Sequence, residues 1–144
     1  MKHKTTREKR KAQEKKHHVI VKRSSAGLGL YTTAPRKKDD HIVEYTGDRI
    51  SEDEANERGG KYLFTVEKNL VIDGRDHKHL ARYINHACKP NCYAEIDVDE
   101  RKVHIRAKRA LTEGEELTYH YGREYFNDHI KPYGCRCAGC AAGR

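Results

Sequence analysis

Five cysteines, a polar run between residues 82 and 92, and a pair of tyrosines near residue 120 are the parts of this 144-residue chain best equipped for chemistry. Cys88, Cys92, Cys135, Cys137 and Cys140 are odd in number, and the last three fall within six residues. Thiols in a chain without an export signal stay reduced, so the spacing favours metal ligation over a disulfide framework, with scattered free thiols as the plainer alternative. Arg82-Tyr83-Ile84-Asn85-His86-Ala87-Cys88-Lys89-Pro90-Asn91-Cys92 packs amide, imidazole and thiol groups into a stretch with little amphipathic pattern. Ordinary core packing does not account for it. In Glu116-Leu117-Thr118-Tyr119-His120-Tyr121-Gly122, Tyr119 and Tyr121 share one face of a strand, where they would line a channel or fill the core. Two segments are less specific. Gly27-Leu28-Gly29-Leu30 lets backbone approach a ligand closely, or makes a plain turn, and Glu44-Tyr45-Thr46-Gly47 ends a strand on an aromatic and a glycine.

The elements that must hold these groups are mostly short strands. Runs suited to β structure cover 18–22, 29–33, 41–45, 62–66, 70–73, 94–98, 102–107 and 116–121, several alternating apolar with polar residues. Gly27–Gly29 lies between two of them. Turn signals separate others, at Pro35–Asp40, Asp97–Lys102 and Thr112-Glu113-Gly114-Glu115. One helix is marked at both ends: Ser51-Glu52-Asp53-Glu54 has capping-box spacing, and Gly59-Gly60 stops it. A further helical turn is expected around His77–Ile84. The class is therefore mostly β with short helices, which leaves function open.

Charge divides the chain unevenly. The formal net charge is +8, yet residues 1–18 hold eight Lys/Arg and two Glu, leaving the remainder close to neutral. That tail has almost no apolar residues to bury, so it forms a solvated arm or a marginal helix. No run approaches the ~18 apolar residues of a membrane span, and the basic start lacks the apolar segment of a signal peptide. An intracellular protein with no membrane role is expected.

In order and spacing, these segments resemble the SET-domain lysine methyltransferases, from about Val19 to Cys140. The resemblance implies a β-clip fold with a C-terminal pseudoknot, in which the Asn-His segment is threaded beneath the loop carrying the Glu-Leu-x-x-x-Tyr strand. It divides the chain into a basic flexible tail (1–17), a SET catalytic domain (18–123) and a post-SET-like zinc-binding tail (124–144). It implies transfer of methyl groups from S-adenosylmethionine to lysine of a basic protein or peptide, such as a histone or histone-like protein. Cofactor contacts fall on Ala26, Gly27, Leu28, Gly29, Tyr62, Arg82, Asn85 and His86. Tyr45 and Tyr121 line the transfer channel, and Tyr119 sits where the number of methyl groups is set; its hydroxyl favours monomethylation. Cys135, Cys137 and Cys140 would join Cys88 around one structural Zn²⁺, leaving Cys92 as a buried thiol. The Cys-x-Cys-x-x-Cys spacing is two residues shorter than usual, His120 stands where Asp is common, and Ala87 replaces Ser. With no Cys-rich segment before the domain, a minimal catalytic unit is expected, cytoplasmic in a bacterium and nuclear or chromatin-bound in a eukaryote or a host. Three roles stay open for residues 1–17: a tether making a weak nucleic-acid contact, a localisation signal, or nothing beyond solubility. The competing class is a non-enzymatic, zinc-stapled basic module that binds nucleic acid or methyl-lysine peptides.

Overall fold

A computed structural model describes residues 4–121. Helix α1 (Thr6–His17) leads into strands β1 (Val19–Ser24), β2 (Gly27–Thr32), β3 (His41–Glu44) and β4 (Asp48–Ile50), then helix α2 (Glu52–Arg58). Strands β5 (Leu63–Glu67) and β6 (Leu70–Asp73) precede a 3₁₀ turn at Ala81–Tyr83. β7 (Asn85–His86), β8 (Cys92–Asp97), β9 (Lys102–Ala107) and β10 (Glu116–Tyr119) complete the described elements. They form three small sheets, in the orders β1-β2-β10-β7, β3-β9-β8 and β4-β6-β5.

Each sheet turns one face to a shared core. On β9 the alternation buries Val103, Ile105 and Ala107, and on β10 it buries Leu117 and Tyr119. These meet Leu30, Ile42, Ile72 and Ile84, all essentially inaccessible to solvent. Strand β10 joins two neighbours. Glu116 and Leu117 pair antiparallel with Tyr31 and Leu30 on β2, whereas Thr118 and Tyr119 pair parallel with Asn85 and His86 on β7. The two segments expected to thread past each other therefore lie side by side.

Helix α2 follows the sequence expectation: Ser51 Oγ accepts the Glu54 amide at 3.1 Å, and Gly59 caps the other end. Three expectations change, and the basic start, expected as a solvated arm or a marginal helix, is helical over Thr6–His17. Thr5 caps its start, Arg10 donates to the Tyr83 hydroxyl at 3.4 Å, and Arg36 donates to the His17 and His18 carbonyls at 2.6 and 2.9 Å. These contacts supply what an isolated polar helix lacks. Gly27–Gly29 does not stand between strands but opens β2, with Gly27 at φ +98° completing the turn from β1. The turn around residues 77–84 narrows to Ala81–Tyr83, and the last strand stops at Tyr119 rather than Tyr121. Strands β4 and β7, three and two residues long, are too short for periodicity to mark.

Candidate active site

The site is assembled where β10 crosses from β2 to β7. Asn85 ties the three strands together: its Nδ2 donates to Leu28 O at 2.9 Å, Ser24 Oγ at 3.1 Å and Glu116 Oε2 at 3.0 Å. Gly29 makes this possible. A Cβ there would lie 2.6 Å from Glu116 Oε2 and 3.2 Å from Asn85 Nδ2, so a side chain would force those two groups apart. The Gly-x-Gly thus serves two ends, a turn at Gly27 and close packing at Gly29. Between them Leu28 is half exposed, and the Ala26 amide donates a hydrogen bond to Ser24 Oγ at 3.2 Å.

His86, one residue along β7, is buried. Its Nδ1 accepts the Tyr121 amide at 3.1 Å, so the ring proton belongs on Nε2, which faces Cys88 Sγ at 3.8 Å. Burial lowers its pKa to about 4, with neighbouring His120 pushing the same way, so the ring is neutral at pH 7. Asn91 acts as a substitute strand partner for β10: its Nδ2 donates to Glu116 O at 2.8 Å, and its Oδ1 accepts the Thr118 amide at 2.9 Å.

Beside this polar seam stands a row of aromatic rings from separate elements. Tyr45 follows β3, Phe64 lies on β5, Tyr119 ends β10, and Tyr121 follows it. Ring centroids are 5.2 Å apart for Tyr45–Phe64, 6.5 Å for Phe64–Tyr119 and 4.9 Å for Tyr119–Tyr121. The geometry is tilted throughout, as aromatic quadrupoles prefer. Two hydroxyls are fixed by backbone: Tyr45 donates to Tyr62 O at 2.9 Å, and Tyr121 donates to Ile84 O.

Tyr62 is placed by two neighbours. Its carbonyl also accepts the Gly74 amide at 2.8 Å, and the Arg82 guanidinium lies 3.9 Å from its ring centroid while donating to Gly74 O at 3.0 Å. Behind them buried Asp73 accepts from Arg58 at 3.1 Å and Arg75 at 2.6 Å, joining α2 to the end of β6. Sequence reasoning missed Phe64, Glu116, Ser24 and Asp73 as site residues. Glu116 opens the strand that carries the tyrosine pair and Phe64 follows Tyr62 by two residues, but nothing local marks either as part of a site.

The structure therefore gathers Tyr45, Tyr119, Tyr121, Asn85 and His86, with Tyr62 and Arg82 alongside. Cys88 is exposed and Cys92 buried, and burial raises the Cys92 thiol to about 11, as suits an inert core cysteine. Cys135, Cys137 and Cys140 lie outside the described residues. Among the described residues, no group of three metal-capable side chains stands together, and no helix is long and apolar enough to cross a membrane.

Among the described residues the site offers neutral imidazole, fixed phenols and π-faces, with no nucleophile at its centre. That set suits positioning of a cationic ligand more than covalent catalysis. The SET-domain family model matches residues 27–122, so the chain belongs to the SET-domain family. Histone-lysine N-methyltransferase MEDEA of Arabidopsis thaliana is 39% identical over 78% of this chain and 18% of its own length. Histone-lysine N-methyltransferase mes-2 of Caenorhabditis elegans is 42% identical over 72% of this chain and 14% of its own. Human histone-lysine N-methyltransferase 2D is 36% identical over 95% of this chain, which spans only 3% of that protein. The chain thus corresponds to a small part of each of these relatives.

Proposed function

We propose that the chain is a protein-lysine N-methyltransferase that uses S-adenosylmethionine and acts on a basic protein such as a histone or histone-like protein. The observation that carries this reading is the aromatic row Tyr45–Phe64–Tyr119–Tyr121 set against the Asn85–His86 strand. The histone-lysine N-methyltransferases that the chain resembles point to the same reaction. When bound, S-adenosylmethionine supplies an electrophilic methyl group on a sulfonium.

The remaining demands fall on the chain's own residues. Ala26, Gly27, Leu28 and Gly29 approach the cofactor through backbone, Asn85 and His86 hold its adenosyl part, and Tyr62 and Arg82 flank it. A neutral His86 accommodates a positively charged ligand at no electrostatic cost. Free lysine titrates near 10.4, so at pH 7 only about one amine in 10³ is neutral, a cost of about 4–5 kcal/mol. A channel walled by Tyr45 and Tyr121 disfavours the ammonium through desolvation and lowers that cost. Their oxygens accept from the amine and hold its lone pair in line with the methyl group. Tyr121 orients; it does not attack. No carboxylate or imidazole base is needed.

Tyr119 is buried beside Tyr121 and limits the turning of a methylated amine, so monomethyl-lysine is the main product. Cys88, Cys135, Cys137 and Cys140 would hold a structural Zn²⁺. Four thiolates would satisfy the metal without leaving a position for catalysis, and the His86 Nε2–H directed at Cys88 Sγ is the kind of outer-shell donor that would steady a metal-bound thiolate. A histone substrate places the protein at chromatin. Calorimetry with S-adenosylmethionine and its demethylated product tests the reading: binding of both is expected, and binding of neither would sink it.

A further inference from the structure

A second basic feature lies away from the methyl-transfer site. Helix α1, strands β3 and β9 and the loop at residues 78–80 line a half-open groove of about 580 Å³. Four ammonium groups line it, Lys4, Lys9 and Lys16 from the helix side and Lys78 from the opposite loop. Four imidazoles form the inner wall: His17, His41, His79 and His104. His41 and His104 are joined ring to ring, 3.0 Å between Nε2 and Nδ1, and His79 is held by Thr46 at 2.7 Å. Among the described residues, the one carboxylate on the lining is Glu44.

The helix turns a defined side to the groove. Lys9, Ala12, Gln13 and Lys16 recur at helical spacing on the face that lines it. Arg7, Lys11 and Lys15 are each four residues apart and fall on the other side, outside the lining. The Arg10 bond to the Tyr83 hydroxyl and the Arg36 bonds to His17 and His18 tie the helix to the domain. The local field is cationic. Burial, then Lys16 and Arg36, lower the pKa of His17; burial, then His104 and Arg106, lower that of His41; burial, then Lys78, lower that of His79.

We infer that this groove is a binding site for a nucleic-acid backbone. A metal cation is disfavoured there by the surrounding ammonium and guanidinium groups. One phosphate carries at most about −2, too little to match four ammonium groups, so a chain of phosphates fits better than a single one. Among the described residues no Tyr or Phe lines the groove, so bases have no stacking platform and the contact is with phosphates, independent of sequence. The site differs from a loose basic arm because it needs Lys78, which lies far from the helix in sequence.

The full chain and a short fluorescein-labelled DNA duplex test this by fluorescence anisotropy between about 50 and 200 mM salt. Two variants remove equal charge: Lys9→Gln/Lys16→Gln/Lys78→Gln inside the groove, and Arg7→Gln/Lys11→Gln/Lys15→Gln outside it. The groove variant is expected to bind about tenfold more weakly, with the salt slope reduced by about 2–3. The outer variant should lose clearly less. Equal losses in the two variants, or no duplex binding by the full chain, would overturn the inference. So would binding of a doubly phosphorylated peptide without binding of the duplex. Because the assay reads binding alone, its failure leaves the methyl-transfer reading intact, and the reverse holds.

Discussion

Replacing Asn85 by Asp changes one atom pair at the junction of β2, β7 and β10. In the native chain two amide hydrogens serve three acceptors, among them Glu116 Oε2 at 3.0 Å. The variant keeps the volume but loses the donors and sets a second carboxylate against Glu116. Loss of a hydrogen bond to a charged group costs about 1.5–3 kcal/mol. Two like charges ~3 Å apart add about 5 kcal/mol at an effective dielectric of about 20, an amount capped when the pair takes up one proton. The net penalty at pH 8 is about 3–5 kcal/mol, a fall in melting temperature of about 10–20 °C for a chain this size. The penalty depends on pH with a definite sign. A carboxyl whose folded pKa is raised binds its proton more tightly when folded, so the variant's deficit is small near pH 4 and grows as pH rises through the raised value. Thermal unfolding followed by circular dichroism, variant against wild type at both ends of that range and without cofactor, measures it. Adding Glu116→Gln to the Asn85→Asp variant restores a donor–acceptor pair and should recover most of the loss. A single variant that melts with the wild type at pH 8, or a second substitution that rescues nothing, would refute the junction as described.

Tyr119→Phe removes a hydroxyl from the aromatic row, and mass spectrometry of early products should show a shift from mono- toward di- and trimethyl-lysine. Abundant trimethyl-lysine from the unaltered chain would contradict the role given to Tyr119. Elemental analysis should find one zinc per chain, lost in Cys135→Ser together with a lowered melting temperature; zinc-free wild-type protein would remove the thiolate site. Asp73→Ala leaves Arg58 and Arg75 without their shared carboxylate and should cost about 2–3 kcal/mol in chemical denaturation, with Asp73→Asn milder.

What the sequence disclosed followed from how local each signal was. Leu70–Asp73 and Lys102–Ala107 coincide with the observed strands because alternation and flanking turns fix such runs within a few residues. Ser51 and Gly59 did the same for α2. Asn85, His86, Tyr119 and Tyr121 stood out by their unusual neighbours, and the structure brings them together. The contacts that hold them were not legible, because they are long-range. Glu116 meets Asn85 across 31 residues, and Tyr45 reaches Tyr62 across 17. Gly29 illustrates the limit: its sequence context suggested a turn or a ligand cradle, and did not show that its close neighbours are Glu116 and Asn85. The fate of the basic tail was likewise set outside it, by Tyr83 and Arg36.

The central claim is that the aromatic row aligns a lysine amine for methyl transfer. Its most direct test incubates the full chain with isotopically labelled S-adenosylmethionine and a panel of basic proteins that includes histones, followed by mapping of the modified residue. Label on a lysine ε-amine, reduced at least about a hundredfold in Tyr121→Phe while cofactor binding measured by calorimetry persists, is the predicted result. No transfer to any lysine by a chain that binds the cofactor, or full activity in Tyr121→Phe, would contradict it.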